Sequence, residues 1–107
     1  MKVYLDNAAT TPVLKEVAET VKEAMLNNYG NPESLNSKGV EANEALENAR
    51  KTIANSINAS QSEIIFTSGA TESNNLAIFG VAYNNKDKNH IITTKIEHPS
   101  VLNCFEK

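Results

Sequence analysis

Apolar residues along this chain recur at helical spacing in several stretches, separated by polar breaks and short extended runs. Val3-Tyr4-Leu5 reads as a short extended piece. Leu14, Val17, Val21, Ala24 and Met25 then fall on one helical face. Thr11 stands where it would cap that helix, with Pro12 at the first position, where a missing N–H is no loss. Asn27-Asn28-Tyr29-Gly30-Asn31-Pro32 breaks it. A second helix is predicted from about Lys38 to Ile57, with Ala42, Ala45, Leu46, Ala49, Ile53 and Ile57 as its apolar stripe. Glu47 and Lys51, four apart on this helix in the favourable order, are expected to pair.

The pattern then changes period. Glu63-Ile64-Ile65-Phe66 predicts a strand, and Leu76, Phe79, Gly80 and Tyr83 a helix. Asn84 to Asn89 is a polar loop, Ile91-Ile92-Thr93-Thr94 a second strand, and Pro99 opens a last helix through Val101, Leu102 and Phe105. Strand–helix–strand–helix is the order of an α/β domain with a right-handed crossover. Two short strands make a poor sheet, and Lys107 comes with no stop signal. The expectation is therefore the front of something larger.

Composition narrows the partners. The chain has 107 residues, 40% hydrophobic and 21% charged, with a formal net charge of −3. That suits one small soluble unit and offers no basic run for nucleic acid or an anionic membrane. No membrane-spanning run or signal peptide is read from the sequence. One cysteine, Cys104, excludes an internal disulfide and suits a reducing, cytoplasmic setting. No metal-ligand spacing stands out, and Asn58-Ala59-Ser60 reads as a chance glycosylation match at a helix end.

The richest chemistry lies in Phe66-Thr67-Ser68-Gly69-Ala70-Thr71-Glu72-Ser73-Asn74, the junction from strand to helix. Gly69 is expected to supply a positive φ and a close backbone approach. The first amides of the helix lack carbonyl partners and lie at the positive end of its dipole, a geometry that holds phosphate. The hydroxyls of Ser68, Thr71 and Ser73 are expected to add hydrogen bonds. Ligand-free strand–Gly–helix turns have the same spacing, so spacing alone leaves both readings open. The segment is neither a P-loop nor a dinucleotide fingerprint. His98, held extended by Pro99, similarly reads as either a loop or capping residue or a functional one.

Four segments in order resemble one family: Tyr4 to Pro12, Tyr29 to Pro32, Phe66 to Asn75 and Glu97 to Leu102. The chain is similar to the N-terminal part of the NifS/IscS-like cysteine desulfurases, class-V aminotransferases that use pyridoxal 5'-phosphate (PLP). The resemblance implies the α/β fold of the aspartate-aminotransferase-like (fold-type I) large domain, incomplete as given. Residues 1–13 would be an extension reaching the small domain, and 14–107 the start of the large domain. Ala70 and Thr71 match the phosphate-binding positions, and His98 matches the histidine that stacks on the pyridine ring and assists proton transfers. A homodimer, L-cysteine as substrate, and a sulfur acceptor or scaffold for iron–sulfur assembly or thio-modification are implied with it. A selenocysteine lyase or another sulfur- or selenium-eliminating PLP enzyme of the fold, or a non-catalytic phosphate-binding module, are the alternatives.

Two positions depart from the family pattern. Glu33 and Asn36 stand where the first of two serines and a histidine are common, which leaves the contacts of that loop open. In the family, the Schiff-base lysine, the acid paired with the pyridinium and the sulfur-carrying cysteine lie beyond the position of Lys107. Lys95 matches no Schiff-base motif and reads as a solvated lysine, and Cys104 as a buried, inert thiol. The family's first two strands are not neighbours in its sheet, so both strands here are expected to lack a partner.

Overall fold

The computed structural model describes residues 1–106, which form four α-helices and one 3₁₀ turn. The chain divides into two compact units, Met1–Ile64 and Ile65 onward.

In the first unit, α1 spans Lys15–Asn27 and α2 spans Ser37–Ser56. Helix α1 starts later than Thr11 and Pro12 suggest. Leu14 is its extended N-cap residue, with no side-chain cap, and the amide of Ala18 donates to the Leu14 carbonyl at 3.0 Å. Proline permits a helix start without requiring one. It also biases Thr11 toward extended backbone, and the branched Val13 adds to that preference. The apolar face of α1 stays exposed, with Val17 at 48% and Met25 at 74%.

Helix α2 lies where expected, shifted one residue toward the N-terminus at each end. Asn36 is its N-cap, with Oδ1 accepting the Gly39 amide at 2.9 Å. Such a cap is worth about 1 kcal/mol over alanine. The departure at Asn36 therefore supplies a helix cap. The departure at Glu33 falls in a side-chain-closed turn: Asn31 Oδ1 accepts the Glu33 amide at 3.0 Å, and the Ser34 amide donates to the Asn31 carbonyl at 2.9 Å. Two glycines let this loop close on the helix. A Cβ at Gly39 would lie 2.1 Å from the Ser34 carbonyl oxygen, and one at Gly30 would lie 2.1 Å from that of Lys38.

Of the predicted stripe on α2, Ala42 is buried and Leu46 half-buried, while Ala45, Ala49, Ile53 and Ile57 are exposed. Ala54, outside the stripe, is the most covered of the three buried apolar residues, at 1%. Glu47 pairs with Arg50 at 3.1 Å rather than with Lys51, because the Arg50 guanidinium also donates to the Ile64 carbonyl and is held on that side. The 3₁₀ turn Gln61–Glu63 is closed by Glu63, whose Oε2 accepts the Ser60 amide at 2.7 Å and the Ser60 hydroxyl at 2.8 Å. Asn58, of the glycosylation-like triplet, sits just past the end of α2 with φ 56°.

The second unit pairs α3 (Ala70–Asn84) with α4 (Pro99–Phe105). Cys104, at 6% exposure, is buried as expected, and its thiol donates to the Ser100 carbonyl at 3.3 Å. Phe79 and Tyr83 stack with ring centres 5.7 Å apart.

Neither predicted strand forms, and no strand occurs among the described residues. Glu63 ends the 3₁₀ turn, Ile64 keeps extended angles (φ −95°, ψ 121°), and residues 91–94 join no ladder. A strand exists only through hydrogen bonds to a neighbour, and β-branched residues supply the preference without the partner. The strand–helix–strand crossover is therefore not built here. Instead, a groove of about 570 Å³ lined by Ile78, Val81, Ile91, Ile92 and Phe105 lies beside α3 and α4.

Candidate functional site

The turn before α3 has a different construction from the one its sequence suggests. Gly69 has φ 164° and ψ 178°, extended backbone open to any residue, so positive φ is not its role. Its contribution is space. A Cβ placed on it meets no heavy atom within 4 Å.

Two of the three hydroxyls are already committed. Ser68 donates through its amide and its hydroxyl to Glu72 Oε2, both at 2.7 Å. Ser73 Oγ lies 2.6 Å from Thr67 Oγ1 and donates to the Gly69 carbonyl at 3.3 Å. These side chains lock the turn to the helix, a local competition that short polar residues favour. The Thr71 hydroxyl takes no protein partner among the described residues, and the Thr71 carbonyl accepts Asn75 Nδ2 at 2.8 Å.

Ala70 and Thr71 are the first two residues of the 15-residue α3, and both are exposed. The first amide bonded back along the helix is that of Ser73, which donates to the Gly69 carbonyl at 3.1 Å. The amides ahead of it therefore face outward at the positive helix end. Glu72 takes the Ser68 amide and leaves those of Ala70 and Thr71 alone. Two outward amides, an uncommitted hydroxyl and open space over Gly69 fit a phosphate group.

The Ser68 hydroxyl and then the Ser68 amide hold the Glu72 carboxyl below the usual carboxylate range. Its folded value is lower than its unfolded one. The contribution to stability is thus present above the unfolded value and lost as pH falls through the folded value. Ser68→Ala should move the Glu72 titration midpoint upward, as followed by carboxyl ¹³C shifts in the intact protein. An unmoved midpoint would show that Ser68 does not set it.

His98 is the N-cap residue of α4, exposed, with φ −63° and ψ 146°. Its Nδ1 accepts the Ser100 amide at 3.1 Å and lies 2.9 Å from Ser100 Oγ. Asn74 Nδ2, in the second turn of α3, donates to the same Ser100 Oγ at 2.9 Å. One serine thus ties the helix that starts with Ala70 and Thr71 to the cap formed by His98. Sequence reasoning quoted Asn74 and Ser100 inside its motifs and gave neither a role. The signal was a hydrogen-bonding side chain two residues after His98, the spacing of a side-chain cap. The apolar groove beside α3 and α4 includes none of Ala70, Thr71 or His98. Lys95 is exposed.

The sequence profile of the family described as "Aminotransferase class-V" matches residues 3–107. The chain belongs to that family. It is 54% identical over 102 residues to the cysteine desulfurase IscS of Dictyoglomus turgidum, covering 94% of this chain and 26% of that one. It is 49% identical over 107 residues to the putative cysteine desulfurase IscS 1 of Bacillus subtilis, covering 99% and 28%. A solved structure titled "NIFS-like protein" superposes with a TM-score of 0.89 at 45% identity, covering 99% of this chain and 29% of that chain. The expected fold class is therefore correct, although the residues described here are helical. The chain spans about a quarter of the length of the curated relatives it matches. Among the described residues, no helix is long and apolar enough to cross a membrane.

Proposed function

We propose that these residues belong to a PLP-dependent cysteine desulfurase, in which they carry the phosphate cradle and the ring-covering histidine. The observation that carries this reading is the start of α3. The Ala70 and Thr71 amides are turned outward, the Thr71 hydroxyl is uncommitted, and the chain beside Gly69 is open. The similarity to proteins named cysteine desulfurase supports it.

Ala70 and Thr71 would hold the phosphate through amide N–H groups and one hydroxyl, charge-assisted bonds of the stronger kind. His98 would cover the pyridine ring and serve proton transfers. When bound, PLP supplies an electron sink for charge developing on the substrate's α-carbon. The overall change transfers the sulfur of L-cysteine to an enzyme thiol, giving L-alanine and an enzyme persulfide. The persulfide sulfur would pass to an acceptor protein for iron–sulfur assembly or thio-modification. In this reading the intact protein is a cytoplasmic homodimer, residues 1–13 reach its small domain, and 14–107 begin its large one.

Residues 1–107 contain no Schiff-base lysine motif and no accessible thiol, since Cys104 is buried. The full-length protein loaded with PLP should form alanine from L-cysteine, while purified 1–107 should release no sulfide above a PLP-only control. Sulfide release by 1–107, or no alanine from the loaded full-length protein, would overturn this assignment.

A further inference from the structure

Asn74, Ser100 and His98 form a chain of hydrogen bonds with a readable direction. Asn74 Nδ2 can only donate, so Ser100 Oγ accepts there at 2.9 Å. The Ser100 proton is left to point elsewhere, and His98 Nδ1 lies 2.9 Å from the oxygen. The Ser100 backbone amide reaches the same nitrogen at 3.1 Å and can likewise only donate. Both groups thus present hydrogens to Nδ1. A ring nitrogen that accepts bears no proton, so in neutral His98 the proton sits on Nε2.

We propose that Asn74 and Ser100 are positioning residues that fix the Nε2–H tautomer and the ring plane of His98. This rests on the reading that His98 covers the cofactor ring. Two donors converging on Nδ1 resist rotation of the imidazole, although its face is exposed. The brace starts on α3, which also presents Ala70 and Thr71, so one helix would align both the phosphate and the ring contact. Second contacts of this kind set which nitrogen of a functional histidine carries the proton.

The test uses full-length protein labelled with ¹⁵N at histidine, with and without PLP, the His98 signals being assigned by their loss in His98→Gln. Wild type should show an unprotonated Nδ1 and a protonated Nε2 in both states. Asn74→Asp exchanges a donor for an acceptor at nearly constant shape and turns the Ser100 hydroxyl toward the new carboxylate. Ser100→Ala removes the hydroxyl and keeps the backbone bond. Each should bring the second tautomer into the spectrum and lower kcat about tenfold, with KM changed less than about twofold. Ser100→Thr should restore both readouts. A protonated Nδ1 in wild type, or wild-type tautomer and kcat in both variants, overturns the proposal. If His98→Gln leaves kcat and the cofactor absorption at wild-type values, the ring-covering role itself fails and the brace falls with it. If His98→Gln changes them and the brace variants do not, only the brace fails.

Discussion

Gly69→Val should strip PLP from the full-length protein while leaving its fold in place. Two observations separate those effects. The backbone at Gly69 is extended, so valine adopts it without strain, and a Cβ there meets no protein atom within 4 Å. The branched side chain instead fills the space over the outward amides of Ala70 and Thr71. Each charge-assisted bond lost from the phosphate costs about 1.5–3 kcal/mol, so PLP affinity should fall at least about tenfold. Equilibrium binding followed by cofactor absorption reads the loss, and far-ultraviolet circular dichroism should stay unchanged. Wild-type affinity in this variant would make the turn a structural element only.

Gly39→Val should do the opposite, lowering stability through the first unit without touching the proposed phosphate site at Ala70 and Thr71. Gly39 is buried where the loop folds back on the start of α2, and its missing Cβ would stand 2.1 Å from the Ser34 carbonyl oxygen and 2.8 Å from that of Asn31. Those atoms are backbone, and Asn31 is tied into its own turn through the Glu33 and Ser34 amides. They cannot swing aside as a side-chain end does. Overpacking of this kind costs about 1–3 kcal/mol, with the upper end expected here because the cap from Asn36 to the Gly39 amide would break as well. Thermal unfolding of the full-length protein should shift down by several degrees. An unchanged midpoint would show that the loop opens at no cost.

The places of the helices and of the glycine turn before α3 were legible because they depend on local periodicity and on residues next to one another. The cap at His98 lies where Pro99 starts a helix, and the buried thiol lies on that same short helix. Details failed wherever a residue had a choice of partner. Ser68 and Ser73 can face a ligand or their own turn, and here Ser68 bonds the Glu72 carboxylate and Ser73 the Gly69 carbonyl. Glu47 had two cations within a turn, and the one also bound at Ile64 won. Ile64 keeps extended angles and the Ile91 run joins no ladder, because a ladder needs a second chain segment that no local pattern provides. The contact from Asn74 to Ser100 spans 26 positions and was beyond reach for the same reason.

Cys104 turns the His98 brace into something that can be timed. Its sulfur is covered and bonded to the carbonyl of the same Ser100 whose hydroxyl and amide hold the imidazole. An opening that lifts α4 from α3 would uncover the sulfur to an alkylating reagent and carry Ser100 away from Asn74. When reclosing is fast, the labelling rate of this one thiol reports how large a fraction of molecules is open. The same clock counts how often the histidine loses its orientation.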